Sequence, residues 1–222
     1  MGYVVTIDGP AASGKSSVSR ELARRLGWKW ISTGAFYRGL AYVANEEGIN
    51  MGDEAALCAL SQSSLWSIEM HPDRTEVLYR GRSVTDAVTR DEVGMWASKV
   101  SALPKVRASL LKNQRDCEKQ TNGLVAEGRD CGSVVFPNAG IKVYLTADQA
   151  ERATRRAHDL GMSVEETTVS QRVRDHQDST RKSAPLQIPD KAWVIDTTDL
   201  TLSQAVSMIE QRVKEHINEQ GV

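Results

Sequence analysis

The sequence predicts an α/β fold in which a doubly wound, five-stranded parallel sheet carries helices on both faces. Five short apolar segments alternate along the chain with segments of helical periodicity. A loop of small residues joins the first strand to the first helix, as is common in such sheets. One stretch with an apolar period of two interrupts this alternation and indicates a small antiparallel insert.

The core strands are predicted where apolar runs are bounded by glycine, proline or polar residues. They are residues 3–8, 28–31, 124–127, 141–146 and 192–196. Helical spacing predicts helices at residues 16–26, 33–48, 53–60, 105–120, 148–160, 163–181 and 202–217. Capping residues lie at Asp53, 146–149 and 163–166, and glycine closes two helices at Gly27 and Gly161.

The insert occupies residues 64–90. Trp66, Ile68 and Met70 alternate with polar residues, which predicts a half-exposed strand. Residues 75–84 predict one further strand that contains a glycine break. Residues 89–92 then match a capping box, which predicts the start of a helix at this point.

Composition limits the partners of this 222-residue chain. A net charge of −1 provides no global field toward nucleic acid or an anionic membrane, and no apolar stretch approaches the ~20 residues of a bilayer span. Cys58, Cys117 and Cys131 are too widely spaced for a CxxC metal site and suit a reducing compartment. We therefore expect a cytoplasmic protein that binds neither nucleic acid nor a membrane.

The loop GPAASGKS matches the phosphate-loop (P-loop) pattern G-x-x-x-x-G-K-[ST], with a predicted strand before it and a helix after it. Small residues let backbone N–H groups turn toward phosphate, and the helix N-terminus adds its positive end. Lys15 would lie between the β- and γ-phosphates, and the Ser16 hydroxyl would ligate Mg²⁺. The predicted nucleotide-binding residues are Gly9, Pro10, Ala11, Ala12, Ser13, Gly14, Lys15, Ser16 and Ser17.

Several classes of nucleotide-binding protein share such a loop. A GTPase switch would need an N-K-x-D motif, which is missing, and the D-x-x-G at residues 91–94 lies inside a predicted helix. A motor ATPase would place paired acids at a strand end, whereas the strand LVAE ends in Glu127 alone. The arginine-rich later half favours phosphoryl transfer between small molecules, because arginines neutralise two phosphates brought together.

Seven segments together resemble bacterial cytidylate kinase in order and spacing. They are IDGPAASGKSS, STGAFYR, VRASLLKNQR, AEGRDCGSVVFP, IKVYLTA, RDHQDSTRKSAPL and VIDTT. The resemblance implies an ATP-dependent (d)CMP kinase with Mg²⁺ bound alongside ATP. It also implies one domain with a core (1–32, 121–150 and 184–222), a monophosphate-binding subdomain that holds the insert (about 33–120) and a helical lid (about 151–183).

The lid residues Arg174, Asp178 and Arg181 stand at i, i+4 and i+7, so one helix face carries all three. From spacing alone they could equally form a solvated, salt-bridged surface. The resemblance implies that both arginines reach the acceptor phosphate or the transferring group, and that Asp178 binds the sugar. Lys15, Arg174 and Arg181 are therefore the predicted catalytic residues.

Further substrate-binding roles follow from the resemblance. It assigns Asp130, Ser98 and Arg107 to the cytosine base, and Arg129 to the acceptor phosphate. The chemistry is consistent, since a carboxylate accepts from the cytosine amino group, while arginine and serine can donate to its acceptors. Arg129 and Asp130 could otherwise form a surface turn with a local ion pair.

The motif STGAFYR adds two substrate residues, Thr33 and Arg38. Arg38 would hold the acceptor phosphate or remain an ordinary surface arginine, and the Thr33 hydroxyl could simply cap its helix. Glu127 could hold Mg²⁺ together with Ser16, or could pair with Lys15. We expect a monomer. Two other functions stay open: a kinase of the same architecture with another acceptor, and a nucleotide-dependent switch.

Overall fold

The computed structural model describes residues 2–161, 163–180 and 185–220. The strands are β1 (Tyr3–Asp8), β2 (Lys29–Ser32), β3 (Trp66–Met70), β4 (Thr75–Tyr79), β5 (Arg82–Ser83), β6 (Gly123–Gly128), β7 (Ile141–Thr146) and β8 (Trp193–Asp196). The helices are α1 (Lys15–Leu26), α2 (Gly34–Glu46), α3 (Glu54–Ser61), α4 (Thr85–Val88), α5 (Asp91–Ser101), α6 (Pro104–Asp116), α7 (Gln149–Leu160), α8 (Val164–Thr180) and α9 (Leu202–Gln220). A 3-10 turn follows α6 at Cys117–Gln120, and a π-helical turn follows β6 at Cys131–Val135.

The main sheet has the strand order β2-β6-β1-β7-β8, and its pairings are parallel. This confirms the predicted doubly wound α/β fold. Central β1 pairs with β6 on one side, where Asp8 lies opposite Gly128, and with β7 on the other, where Asp8 lies opposite Tyr144. The ends of these strands therefore meet at one edge of the sheet, which is where ligands bind in folds of this kind.

Helices cover both faces of this sheet, as predicted. Side chains of β1 alternate between the faces, because successive residues of a strand point to opposite sides. Val5 and Ile7 pack with Leu22 of α1 and with α9. Val4 faces the other way and packs in the cluster that contains Leu40 of α2 and residues of α6. Two apolar layers thus fix the position of β1, from which the phosphate loop emerges.

The insert is an antiparallel meander of β3, β4 and β5. The prediction of one strand over residues 75–84 was wrong, since the chain reverses between Tyr79 and Arg82. Arg80 and Gly81 have φ of +50° and +73°. A two-residue turn with both φ values positive matches the twist of a hairpin, so the glycine makes a turn where a break was predicted.

The predicted capping box at residues 89–92 was also wrong. The Thr89 hydroxyl donates to the carbonyl of Asp86, 2.7 Å away, and so belongs to the end of α4. Arg90 stands at the N-cap of α5 without a side-chain hydrogen bond to the helix. The capping box fails because its Thr89 hydroxyl is hydrogen-bonded to the preceding short helix α4.

The caps predicted for α7 and α8 are confirmed. Asp148 accepts from the amide of Ala150 at 2.8 Å, and Ser163 exchanges hydrogen bonds with Glu166 at the start of α8. These caps satisfy amides that have no partner inside a helix. Within the described ranges, no helix is both long and apolar enough to cross a membrane.

Candidate active site

The predicted phosphate loop lies between β1 and α1, at the carboxyl edge of the sheet. Gly9, Ala12 and Gly14 have φ of +150°, +55° and +84°, so three positions of the loop adopt conformations with positive φ. A Cβ atom at Gly9 would lie 2.1 Å from the carbonyl oxygen of Leu145. Glycine is therefore required where the loop passes the end of β7.

Lys15 begins α1, and its side chain is buried against the loop. Its ammonium group donates to the Pro10 carbonyl at 2.5 Å. Burial, followed by the positive charge of Arg129, lowers the pKa of Lys15 to about 7, while nearby carboxylates oppose the shift. The cation is thus held in a place that favours a negatively charged partner.

Glu127 and Ser16 form an oxygen-rich group beside Lys15. The Ser16 hydroxyl donates to the Glu127 carboxylate at 3.2 Å, and Glu127 is buried at the end of β6. Mg²⁺ prefers oxygen ligands and commonly uses one or two protein groups together with phosphates. These two side chains therefore fit a magnesium ion, and the carboxylate of Glu127 is also one of those that raise the pKa of Lys15.

Asp8, at the end of β1, was missed by the sequence reasoning. Its carboxylate accepts from the amides of Cys131 and Gly132 at 2.8 and 2.7 Å. Burial raises its pKa to about 6, although these two hydrogen bonds act in the opposite direction. Asp8 thereby ties the loop after β6 to the phosphate loop. An acid at the end of an apolar strand, directly before Gly9, was the available signal.

Arg129 and Asp130 connect this edge to a second group of charges. Arg129 donates to the Gly9 carbonyl at 2.8 Å. Asp130 pairs with Arg107 at 2.5 Å, both side chains being buried, and the Arg107 guanidinium lies 5.2 Å from the centre of the Tyr37 ring. The predicted base-reading acid and arginine are therefore in direct contact.

Arg38 of α2 and Ser98 of α5 both lie close to Gly94. Arg38 donates to the Val88 and Arg90 carbonyls at 2.7 and 3.2 Å, and Ser98 donates to the Gly94 carbonyl at 3.0 Å. A Cβ at Gly94 would lie 2.8 Å from a terminal nitrogen of Arg38, so the glycine makes room for the arginine.

Thr33 joins α2 to β6, because its hydroxyl donates to the Glu127 carbonyl at 3.0 Å. Its side chain makes no capping hydrogen bond to α2, so the capping alternative was wrong. Cys131, which lies 3.5 Å from this hydroxyl, is fully buried, and burial raises its thiol pKa. The thiol is therefore a packing group, as predicted.

A contact between α8 and the phosphate loop was also missed. Asp175 accepts from the Ala11 amide at 3.0 Å and pairs with Arg152 at 2.7 Å. Arg152 in turn donates to the Ala11 carbonyl at 2.9 Å. We call Ala11, Arg152 and Asp175 the loop clamp. The clamp binds both the amide and the carbonyl of Ala11, and so connects α7 and α8 to the loop.

The family model for cytidylate kinase matches residues 5–215 of this chain. The chain belongs to the cytidylate kinase family. Cytidylate kinase from Bdellovibrio bacteriovorus is 55% identical over 217 residues, which cover 98% of this chain and 100% of that protein. Cytidylate kinase from Azotobacter vinelandii is 42% identical over 215 residues, 93% of each chain.

The fold of this cytidylate kinase family member also has counterparts among solved structures. An uncharacterized protein from Eubacterium ventriosum superimposes with a TM-score of 0.53 at 12% identity, covering 96% of this chain and 98% of that one. At such low identity the likeness supports the α/β architecture alone.

Three predicted lid residues of this cytidylate kinase family member are not located by the structure. Arg181 lies outside the described residues, and the side chains of Arg174 and Asp178 on α8 are likewise outside them. Their roles stay predictions. Asp175 was not predicted, because the i, i+4 and i+7 pattern covers only the helix face of Arg174, Asp178 and Arg181. Successive helical residues are about 100° apart, so Asp175 points along a different face.

Proposed function

We propose that this protein transfers the γ-phosphate of ATP to CMP or dCMP, giving ADP and CDP or dCDP. One observation supports this most directly: Arg129 touches the phosphate loop at Gly9, while its neighbour Asp130 pairs with Arg107. A phosphate-binding loop and a buried group able to read a base are thereby joined by two consecutive residues. Family membership supports the same reaction.

The donor half of the site is the phosphate loop. Its amides, the helix end at α1 and Lys15 hold the β- and γ-phosphates of ATP. Ser16 and Glu127 hold Mg²⁺, which, when bound, neutralises charge on those phosphates. The lowered pKa of Lys15 fits this role, since phosphate oxygens replace the lost hydration and favour the ammonium form.

The acceptor half brings a phosphate oxygen of the monophosphate in line with the γ-phosphorus. The new P–O bond forms as the bond from the γ-phosphorus to the bridging oxygen breaks, and ADP leaves. Arg38 and Arg129 hold the acceptor phosphate, and Arg174 and Arg181 stabilise charge on the transferring group. Positioning and charge carry the reaction, and no covalent enzyme intermediate is needed.

The lid, at about residues 151–183, closes over ATP and excludes water, which otherwise competes as an acceptor. Asp178 binds the sugar. The core and the monophosphate-binding subdomain (about 33–120) complete the single domain. The loop clamp supports a lid role for α7 and α8, since it joins these helices to the phosphate loop at Ala11.

The base is read by Asp130, Arg107 and Ser98. The Asp130 carboxylate accepts from the cytosine amino group, and Arg107 and Ser98 donate to its ring nitrogen and carbonyl. Uracil places a carbonyl where cytosine has the amino group, so two acceptors would face each other. A buried polar site can reject such an analogue by ~10⁴-fold.

The protein acts as a cytoplasmic monomer. The unpaired state of Cys58, Cys117 and Cys131 supports a reducing compartment. Mg²⁺ binds together with ATP, because Ser16 and Glu127 beside the phosphate loop offer oxygen ligands.

A coupled ADP-release assay with CMP, dCMP, UMP, AMP, GMP and shikimate tests the proposal. CMP and dCMP should accelerate ATP consumption far above the acceptor-free rate, with UMP a poor substrate. Lys15→Ala supplies the background, since it removes the charge between the phosphates and should reduce turnover by about 10³-fold or more. A strong response to another acceptor would redirect the assignment, and slow hydrolysis indifferent to acceptors would indicate a switch.

A further inference from the structure

The hairpin of β3 and β4 carries three groups with metal-ligand chemistry, and they belong to none of the site groups above. Glu69 and His71 are two residues apart and project to the same side. Glu76 lies directly opposite Glu69 in the strand register. One ligand atom from each residue lies within 4.8 Å of the other two.

The distances suit a small cation. His71 Nε2 lies 3.3 Å from a Glu76 oxygen and 3.9 Å from a Glu69 oxygen. A tetrahedral zinc ion with bonds of about 2.0–2.1 Å keeps its ligand atoms about 3.3 Å apart. The His71–Glu76 pair already has that spacing. Glu69 is 56% exposed, so its side chain is able to move the remaining distance.

Two features make this cluster more than an acidic patch. Two carboxylates stand directly opposite each other on adjacent strands, an arrangement that favours a cation beside them. In addition, His71 Nε2 is buried and forms no hydrogen bond, although it faces both carboxylates. An imidazole nitrogen with this surrounding suits coordination of a divalent ion.

The competing cation at this cluster is Arg74. Its Nε lies 3.6 Å from the Glu76 carboxylate and its guanidinium 3.8 Å from Asp73, with 53% of the side chain exposed. Exposed ion pairs of this kind contribute about 0–1 kcal/mol. Arg74 can therefore shift toward Asp73 when an ion enters.

The backbone around the cluster is held in place by the main sheet. The Trp30 amide donates to the His71 carbonyl at 3.0 Å, and the His71 amide donates to the Arg74 carbonyl at 2.9 Å. Thr75, at the start of β4, also connects the hairpin to β2, since its hydroxyl accepts from the Ser32 amide at 2.9 Å. The ligands therefore lie where the hairpin meets β2, and an ion bound there would link the insert to the core.

We propose that Glu69, His71 and Glu76 bind a first-row divalent transition ion, with Zn²⁺ as the representative and water completing the coordination. One imidazole and two carboxylates favour such an ion over Mg²⁺, whose site at the phosphate loop offers oxygens alone. The ion would be structural, because none of its three ligands is among the residues assigned to nucleotide binding.

The test is a titration of the full chain with Zn²⁺ by calorimetry, with excess Mg²⁺ and ADP present to occupy the phosphate loop. Wild type should bind one more zinc ion than His71→Ala, and Glu76→Gln should weaken that site by at least about tenfold. Asp86→Asn, which neutralises an exposed acid of α4, is the matched control and should bind as wild type does.

Two further measurements keep the result clear. Turnover with CMP in zinc-free buffer should be the same in wild type and all three variants, which shows that each is folded. Co²⁺ should give visible absorption bands of a nitrogen- and oxygen-ligated ion in wild type and lose them in His71→Ala. Equal zinc stoichiometry in wild type and His71→Ala would overturn the proposal, whatever the kinase assay shows.

Discussion

The carboxylate of Asp130 can only accept hydrogen bonds when ionised, so in its proposed role it would accept from the cytosine amino group and reject the uracil carbonyl. In Asp130→Asn the side chain keeps its shape but gains a donor. We predict that the ratio of kcat/KM for CMP over UMP falls by about tenfold to a hundredfold, the effect of one buried hydrogen-bonding partner.

The ratio is the informative quantity, because partial unfolding lowers both activities equally. Glu118→Gln, which neutralises a half-buried acid on the 3-10 turn after α6, is a matched control and should keep the wild-type ratio. An unchanged ratio in Asp130→Asn would show that the base is read elsewhere.

Asp8 should leave a signature in the pH dependence of stability. Its pKa rises on folding from 3.8 to about 6, so the folded chain binds the proton more tightly than the unfolded chain. The free energy of unfolding contributed by Asp8 therefore falls as the pH rises between these values, by up to about 1.4 kcal/mol per pH unit.

Denaturant unfolding of wild type and Asp8→Asn across pH 4 to 6 measures this contribution. The lost hydrogen bond lowers the stability of the variant at every pH, so the comparison rests on the slope alone. The difference in free energy between the two proteins should shrink as the pH rises. A constant difference would mean that the folded and unfolded states hold this proton equally well.

Among the elements, α8 is joined to the phosphate loop by the clamp. Asp175→Asn keeps an acceptor for the Ala11 amide but removes the charge that holds Arg152. We predict that KM for ATP rises by about tenfold, the cost of a weakened charge-assisted hydrogen bond, while kcat changes less.

The matched control for the clamp is Glu165→Gln, which neutralises an exposed acid in the first turn of the same helix. Its KM for ATP should equal that of wild type. Arg152→Lys keeps the charge without the paired N–H groups and should give an intermediate value. Equal KM values in Asp175→Asn and Glu165→Gln would mean that the clamp does not position the loop.

The elements also show what local sequence can predict. The core strands and helices could be predicted from the periodicity of apolar residues, because each element buries one face or both. The two errors in the insert arose where a signal has more than one structural use. Gly81 serves a turn as readily as a break, and the Thr89 hydroxyl ends α4 as readily as it caps α5.

The same limit applies to the site at the scale of the whole molecule. Lys15, Ser16 and Glu127 could be predicted because a loop pattern and parallel strands bring them to one edge. The clamp could not, because Arg152 and Asp175 meet Ala11 only once two distant helices have packed against the loop. The sequence could indicate Asp8 as a site residue, but its bonds to Cys131 and Gly132 required knowing that β1 pairs with β6.

The central position of β1 predicts the order in which the molecule opens. β1 is paired on both sides, and Val5 and Ile7 are fully buried. Its amides should exchange with solvent only through global unfolding, whereas those of the exposed edge strand β5 should exchange through local opening. Native-state hydrogen exchange in low denaturant measures both, and faster exchange in β1 than in β5 would contradict the prediction.

The nucleotide loop is a direct continuation of that innermost strand, so unfolding of β1 removes the nucleotide site as well. Warming should therefore abolish ATP binding and native structure in one cooperative transition. At equilibrium a cell would hold either competent enzyme or unfolded chain, with hardly any compact but inactive material between them.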